Sequence, residues 1–250
     1  MMSEAALGEN PLGYEKISKL LKSFAIPSIT ATLVSSLYNI VDQIFIGQGV
    51  GYLGNAATNV SYPLSTICLA ISLLIGIGSS SRFSICLGKK DPKQAAHIAG
   101  NAILMMIIAG AIYLVIGEAF LTPLLRIFGA TDEIIPYAQQ YAGITLIGMP
   151  FLILTNGISS LIRADGRPKY SMICMVSGAI VNTILDPIFI FVFDLGVFGA
   201  ALATIIGQFI SFFIAFRYLW IFKTIKLTKE SFKLDIRDNF KTFYMGTSSC

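Results

Sequence analysis

Charged residues are scarce in this sequence of 250 residues. Asp, Glu, Lys and Arg together make up 13% of it, whereas about a quarter of a soluble domain is charged. Hydrophobic residues account for 55%, and the mean hydropathy is +0.74. This composition excludes an ordinary soluble domain and predicts a chain embedded in a lipid bilayer. The net charge of +4 does not indicate nucleic-acid binding, because the basic residues fall in short loops between apolar runs.

Histidine and cysteine are also rare. The chain has one histidine, His97, and four cysteines with neither metal-ligand spacing nor a paired framework. It lacks the Gly-x-x-x-x-Gly-Lys-Ser/Thr loop that binds nucleotide phosphates, and no nucleophile–base pair stands out. These absences argue against a resident metal, against ATP as the energy source and against an enzymatic function. No cofactor is expected, unless a coupling ion is counted as one.

Long uncharged apolar runs dominate the chain instead. Hydropathy and helix-breaking residues divide it into six spans, each near or above the ~20 residues that cross a bilayer. The spans cover about residues 23–46, 60–81, 98–117, 134–162, 171–193 and 195–216. The prediction is an all-α polytopic membrane protein with a six-helix unit at residues 23–222. Residues 1–22 are expected to form a tail, and residues 223–250 an amphipathic segment on the membrane surface that stops before a seventh span.

Basic residues are distributed unevenly among the segments that connect these spans. The N-terminal tail, the second and fourth loops and the C-terminal stretch hold 17 of the 18 lysines and arginines, and only Arg126 lies elsewhere. Because cytoplasmic segments carry the excess of Lys and Arg, both ends of the chain are predicted on the cytoplasmic side of the plasma membrane. The first 22 residues lack the basic and short apolar regions of a cleaved signal peptide, so the first span is expected to remain as an anchor.

The fifth span contains an amide and a carboxylate in an otherwise uncharged run. Residues 182–187 are Asn-Thr-Ile-Leu-Asp-Pro, which places Asn182 and Asp186 on the same face of a helix. A carboxylate at membrane depth is costly and usually marks an ion or substrate path. Pro187 removes one backbone donor and is expected to kink the helix. The alternative interpretation is a hydrogen-bonded pair that only holds helices together.

Three further spans carry polar side chains at a similar depth. Counting 1.5 Å per residue from the outer end of each span puts Asp42 about 7 Å, Tyr141 about 10 Å and both Thr204 and Asp186 about 12 Å below that end. The alternatives are a snorkelling role for Asp42, a backbone-bonded hydroxyl for Thr204 and an interfacial position for Tyr141. Asn156 is a weak candidate for substrate contact, and helix packing explains it more simply.

The chemistry of this set suits a small cation. Carboxylate, amide and hydroxyl oxygens are the ligands that hard ions such as Na⁺ prefer. Two carboxylates in a poorly solvated cavity also repel each other and hold a proton readily. These residues leave Na⁺ and H⁺ open as coupling ions. Pro27, near the start of the first span, gives the helix that carries Asp42 a bending point.

Four motifs resemble those of the bacterial branch of the multidrug and toxic compound extrusion (MATE) transporters. They are YNIVDQIFIG at residues 38–47, LGKKD at 87–91, RADGRP at 163–168 and NTILDP at 182–187. The resemblance extends over essentially the whole chain. It implies one six-helix lobe of a two-lobed antiporter that exchanges Na⁺ or H⁺ for organic, often lipophilic and cationic, compounds.

The same resemblance implies a cation site and an incomplete substrate cavity. The site would be formed by Asp42, Asn182, Asp186 and Thr204 near Tyr141. The second lobe of the family is missing from this sequence, so the expected partners are a second half, small organic compounds and membrane lipid. Two other functions stay open: a flippase for lipid-linked precursors, from the same superfamily, and a membrane scaffold subunit that transports nothing.

Overall fold

Eight α-helices organise the part of the chain that the computed structural model describes, residues 15–233 and 236–247. They are α1 Ile17–Gly49, α2 Tyr52–Gly88, α3 Pro92–Ala119, α4 Leu121–Ile127, α5 Ile135–Ala164, α6 Pro168–Pro187, α7 Gly196–Arg217 and α8 Ile236–Thr247. A π-helical turn, Ile188–Val192, follows α6, and short 3₁₀ turns lie at Tyr218–Trp220 and Lys229–Phe232. The described residues form no strand, so the predicted all-α fold is confirmed.

Six of these helical segments are long and apolar enough to cross a membrane, as predicted. The segments are Ile17–Gly49, Tyr52–Gly88, Pro92–Ala119, Ile135–Ala164, Pro168–Val192 and Gly196–Trp220. Most extend beyond the predicted apolar spans, because a helix continues into its polar end turns after the hydrophobic run stops. The first 14 residues of the predicted N-terminal tail lie outside the described residues.

The connection between α1 and α2 is tighter than the sequence predicts. Glycine and asparagine are frequent at residues 47–59, and this composition predicts a flexible turn. In the structure only Val50 and Gly51 separate the two helices. Gly51 has φ 85°, a backbone conformation that glycine adopts without a steric penalty. Asn59 donates its side-chain amide to the carbonyl of Asn55 at 2.9 Å, within α2. The connection between α3 and α5 also contains a short helix, α4, that hydropathy did not predict.

Helix α5 lies at the centre of the bundle, and α1 lies at its edge. α5 contacts α2, α3, α6 and α7, whereas α1 packs mainly against α6. In the most apolar stretch of each helix, 67% of α5 is buried but only 11% of α1. The main core, which includes Ile75, Phe83, Met106, Leu146 and Ile153, joins α2, α3 and α5. Helix α1 therefore presents most of its surface to the surroundings.

Helices α6 and α7 approach each other through two glycines. A Cβ atom on Gly178 would lie 2.6 Å from the carbonyl oxygen of Gly207, and one on Gly207 would lie 2.7 Å from that of Gly178. Small residues at such a crossing let the backbones of membrane helices pack closely. Asn182 follows Gly178 by one turn, and Thr204 precedes Gly207 by about one turn. The close crossing thus brings these two polar side chains together.

Buried Asp165, between α5 and α6, fastens the chain that follows α7. Its carboxylate accepts hydrogen bonds from the Tyr218 hydroxyl at 2.5 Å and from the backbone amides of Lys223 and Thr224 at 3.0 and 3.2 Å. The Thr224 hydroxyl donates to the same carboxylate. Further along, α8 packs against α2, where Arg82 donates to the Thr242 hydroxyl at 3.0 Å. Side chains at residues 234–241 lie outside the described set, so the amphipathic character predicted there stays a prediction.

Candidate cation site

Two buried acids from different helices meet between α1 and α6. Asp42 lies in the C-terminal part of α1 and is 6% exposed, and Asp186 lies at the end of α6 and is fully buried. Their carboxyl groups are neighbours, close enough for each to influence the charge of the other. The structure thus joins the two carboxylates that the depth estimate placed in one layer.

Asn182 links this acid pair to α7. Its side-chain amide donates to Asp186 Oδ1 at 3.3 Å and to Thr204 Oγ1 at 3.4 Å. The Thr204 hydroxyl donates to the Ala200 carbonyl at 3.0 Å, so the backbone bond expected of a membrane threonine is also present. Tyr141 of α5 packs beside Thr204 and against the small cluster of Ile46, Ile190 and Ala200. All five predicted side chains therefore lie around one point.

Several oxygens at this point have no partner among the described residues. Asp42 Oδ1, Asn182 Oδ1 and Asp186 Oδ2 are buried and accept no hydrogen bond. An unpaired buried oxygen is costly. Three such oxygens on neighbouring side chains offer the oxygen ligands that Na⁺ prefers, and either carboxylate oxygen accepts a proton. These oxygen ligands therefore fit a small cation.

A polar cavity of about 450 Å³ opens beside the acid pair. Asp42, Asn182, Thr204 and Tyr141 line it, and Asp186 lies directly behind them. The remaining lining is largely hydroxyl- and amide-bearing, and it includes Ser35, Ser36, Tyr38, Asn39, Gln43, Ser61, Tyr62, Ser65, Thr66, Thr155, Asn156 and Gln208. None of the described residues that line this cavity is a lysine or an arginine.

Asn156 lies on the cavity wall, and its amide donates to the Leu152 carbonyl of its own helix at 3.1 Å. Its position is compatible with both interpretations of the sequence. The two site prolines occupy different surroundings. Pro27 is buried within a continuous α1, and Pro187 ends α6 where the π-helical turn begins. A π-turn accommodates an interrupted hydrogen-bond ladder.

Sequence reasoning missed two amides of the cavity. Gln43, next to Asp42, donates to the Thr58 hydroxyl at 3.0 Å and joins α1 to α2. Gln208 lies one turn after Thr204, and its buried Oε1 has no partner among the described residues. The same sequence signal could have found both residues. Each is an amide inside an apolar span, and each lies within four residues of a predicted site residue.

Comparison with known proteins gives consistent matches. The MatE family model matches residues 27–188. The chain is 34% identical over 206 residues to "Multidrug export protein MepA" of Staphylococcus haemolyticus, covering 80% of this chain and 45% of that protein. It is 32% identical over 192 residues to the protein of the same name from Staphylococcus aureus, covering 77% of this chain and 43% of that protein.

Solved structures match over nearly the whole chain. An outward-facing multidrug resistance MATE family transporter of the MOP superfamily has a TM-score of 0.85 and 26% identity, over 92% of this chain and 51% of that one. A MATE structure in a bent conformation has a TM-score of 0.86 and 26% identity, over 93% and 52%. The chain therefore spans about half the length of the relatives it matches.

Proposed function

Because the chain belongs to the MATE family of multidrug exporters, we propose that it forms the cation-binding lobe of an antiporter that exports organic compounds in exchange for Na⁺ or H⁺. The observation that carries the proposal is the buried acid pair of Asp42 and Asp186, with three unpartnered oxygens beside a polar cavity. A complete substrate cavity requires a second lobe, since the relatives are about twice as long.

In this proposal the acid pair alternates between a state that holds a cation and an empty state. Removing a cation leaves two carboxylates in a poorly hydrated site, where like charges repel and each is costly to bury unpaired. Na⁺ or a proton relieves that repulsion. Asn182 orients Asp186 through its amide and presents its own oxygen to the ion, while Thr204 and Tyr141 close the side towards α7 and α5.

Loading changes the contact between α1 and α6, because Asp42 and Asp186 sit on those two helices. α1 is the least buried of the six helices that could cross a membrane. It contains Pro27, which deprives the Ser23 carbonyl of its helical donor. A ligand shifts a conformational equilibrium by its difference in affinity for the two shapes. We assign to Pro27 the bending point of α1, and to the π-turn after Pro187 the adjustment in α6.

The polar cavity supplies the cargo side of the proposal. Its polar lining offers mainly hydroxyl and amide groups, and Leu69, Leu152 and Met175 add apolar surface. An organic cation or a neutral compound matches a wall that carries acids but no base. Asn156 is the residue of this wall that we assign to cargo contact. The excess of Lys and Arg at the face where α1 begins supports a cytoplasmic location of that face.

Cation binding by the purified chain tests the proposal. Trp220→Phe removes the one tryptophan, so that the fluorescence of Tyr38, Tyr62 and Tyr141 in the cavity becomes a larger part of the signal. The chain in detergent is titrated with Na⁺ at fixed ionic strength and, separately, with acid. A saturable Na⁺ response indicates sodium coupling, and a response to pH alone indicates proton coupling.

Matched variants decide whether the response comes from the acid pair. The response is expected to disappear in Asp42→Asn and in Asp186→Asn. It is expected to persist in Asp132→Asn, which removes an exposed acid paired with Arg126. Absence of any response to Na⁺ or pH, or an unchanged response in both site variants, would contradict the proposal and favour a scaffold role.

A further inference from the structure

A crevice of about 430 Å³ lies at the opposite end of α1 from the cation site. It separates the first turns of α1 from the loop between α5 and α6 and from the start of α6. We propose that this crevice binds an anionic glycerophospholipid of the adjoining leaflet, with the phosphate at its basic rim and an acyl chain along its apolar wall.

The rim of the crevice is basic, and acidic side chains neutralise only part of its positive charge. Arg167 and Lys169 line it from the loop and from α6, and Lys19 lines it from α1. Glu15 pairs with Lys19 at 2.6 Å. Arg167 and Lys169 form no hydrogen bond or ion pair through their side chains within the described parts of the chain. Two positive charges thus remain available to a phosphate.

The nearest acid in the loop cannot supply the missing charge. Asp165 is fully buried, and its two oxygens already accept hydrogen bonds from Tyr218, Lys223 and Thr224. This network also holds the loop in place, so the basic side chains project from a fixed backbone. A preorganised site loses less entropy when it binds a ligand.

The wall of the crevice is largely apolar and partly exposed. Leu20 and Phe24 contribute from α1, and Tyr170 and Ile173 from α6. Ile173 is 49% exposed. Tyr170 is fixed by its hydrogen bond to the Ile214 carbonyl at 3.0 Å. A basic pocket between membrane helices with an apolar continuation matches a lipid headgroup together with its chain.

The position of the crevice means that a bound lipid would influence the shape of α1. Phe24 lies three residues before Pro27, so a lipid in the crevice would connect the segment of α1 before the proline to the start of α6. Occupancy therefore favours the helix shape in which these two ends lie together. This inference does not depend on the cation site and goes beyond the exchange of ions for organic compounds.

Lipid counting by native mass spectrometry tests the inference. The 250-residue chain in detergent is titrated with phosphatidylglycerol and with phosphatidylcholine of the same acyl chains. Phosphatidylglycerol is expected to bind roughly tenfold more tightly. Equal affinity for both lipids would overturn the proposal, as would displacement of phosphatidylglycerol by an excess of inorganic phosphate, because a free anion would then be the ligand.

Variants locate the binding to the crevice. Each basic residue near the membrane surface is expected to contribute about fivefold to the affinity for an anionic lipid. Arg167→Gln with Lys169→Gln is therefore expected to weaken phosphatidylglycerol binding about thirtyfold. Lys89→Gln with Lys93→Gln removes the same charge from exposed positions where α2 ends and α3 begins. This pair is expected to change phosphatidylglycerol binding less than about threefold. Ile173→Trp fills the crevice without changing charge and is expected to weaken binding roughly tenfold. Equal losses in the two charge pairs, or no loss in the tryptophan variant, would refute the site.

Discussion

Asp42 of α1 and Asp186 of α6 are buried beside each other, and neither forms an ion pair with another described residue. Buried acids are ordinarily compensated by a cation. In the proposed function a bound proton or metal ion supplies the compensating charge. Because the acids sit on different helices, the occupancy of their site bears directly on how those helices pack.

Asn182 is expected to be necessary for tight cation binding. Asn182→Leu keeps the approximate size of the side chain but removes both the donor to Asp186 and the unpartnered oxygen. Because a hydrogen bond to a charged group contributes about 1.5–3 kcal/mol, the affinity measured by Na⁺ or pH titration should fall about tenfold to a hundredfold. Thr183→Val, one position away, removes a hydroxyl bonded only to the Ala179 carbonyl and should leave the affinity unchanged. Equal affinities in the two variants would exclude this role.

Gly178 is expected to be essential for the close crossing of α6 and α7. A Cβ atom there would lie 2.1 Å from Ser211 Oγ and 2.6 Å from the Gly207 carbonyl oxygen. Gly178→Ala should therefore cost about 1–3 kcal/mol of stability and weaken cation binding, because Asn182 and Thr204 separate. Thermal unfolding in detergent measures the first effect and ion titration the second.

Gly143→Ala provides the control for this substitution. Gly143 also lies within a membrane helix, but a Cβ atom there meets only an ordinary contact at 3.5 Å with Leu121. Alanine should be neutral or stabilise the helix by up to about 1 kcal/mol. If the melting temperature falls equally in both variants, the close packing of α6 against α7 is not the reason why position 178 requires glycine.

Asp165 is expected to secure the segment after α7. Asp165→Asn replaces one acceptor oxygen by a donor amide that faces other donors, and leaves buried N–H or O–H groups unsatisfied. We expect a lower melting temperature and faster limited proteolysis between residues 218 and 228. Asp132→Asn breaks an exposed pair with Arg126 and should change neither measurement. Unaltered proteolysis of Asp165→Asn would mean that the segment is held by its apolar contacts alone.

Pro27 is expected to control the shape of α1. Pro27→Ala restores a donor for the Ser23 carbonyl and should straighten and stiffen the helix. Spin labels at positions 21 and 44, both exposed on α1, report this as a narrower distance distribution. In a complete exporter that contains this lobe, turnover should fall while membrane insertion stays intact. Pro63→Ala in α2 is the control and should leave the α1 distances unchanged, and a distribution that is equally broad in Pro27→Ala would argue against a hinge.

The sequence predicted the helices better than their connections. Six spans were identifiable because a bilayer demands about 20 apolar residues per crossing. The rise per residue brought Asp42, Tyr141, Asp186 and Thr204 to a similar depth, and the structure gathers them at one point. Their role in cation binding is a proposal. The tight turn at Gly51 was missed because Gly- and Asn-rich stretches usually indicate loops.

Tertiary contacts were beyond the reach of local patterns. The bond between Gln43 and Thr58 joins two helices, and nothing in either span predicts their rotation. The network of Asp165 connects residues more than 50 positions apart. In the sequence, Asp165 is one polar residue of a turn. Its full burial depends on how the segment after α7 folds back.

Infrared difference spectroscopy tests the central claim most directly, because it observes the carboxyl groups themselves. Spectra of the purified chain are recorded with and without Na⁺ and at acidic and neutral pH. We predict a change in carboxyl absorption on cation loading that is strongly reduced in both Asp42→Asn and Asp186→Asn and retained in Asp132→Asn. An identical change in the wild-type chain and in both site variants would show that the coupling ion binds elsewhere.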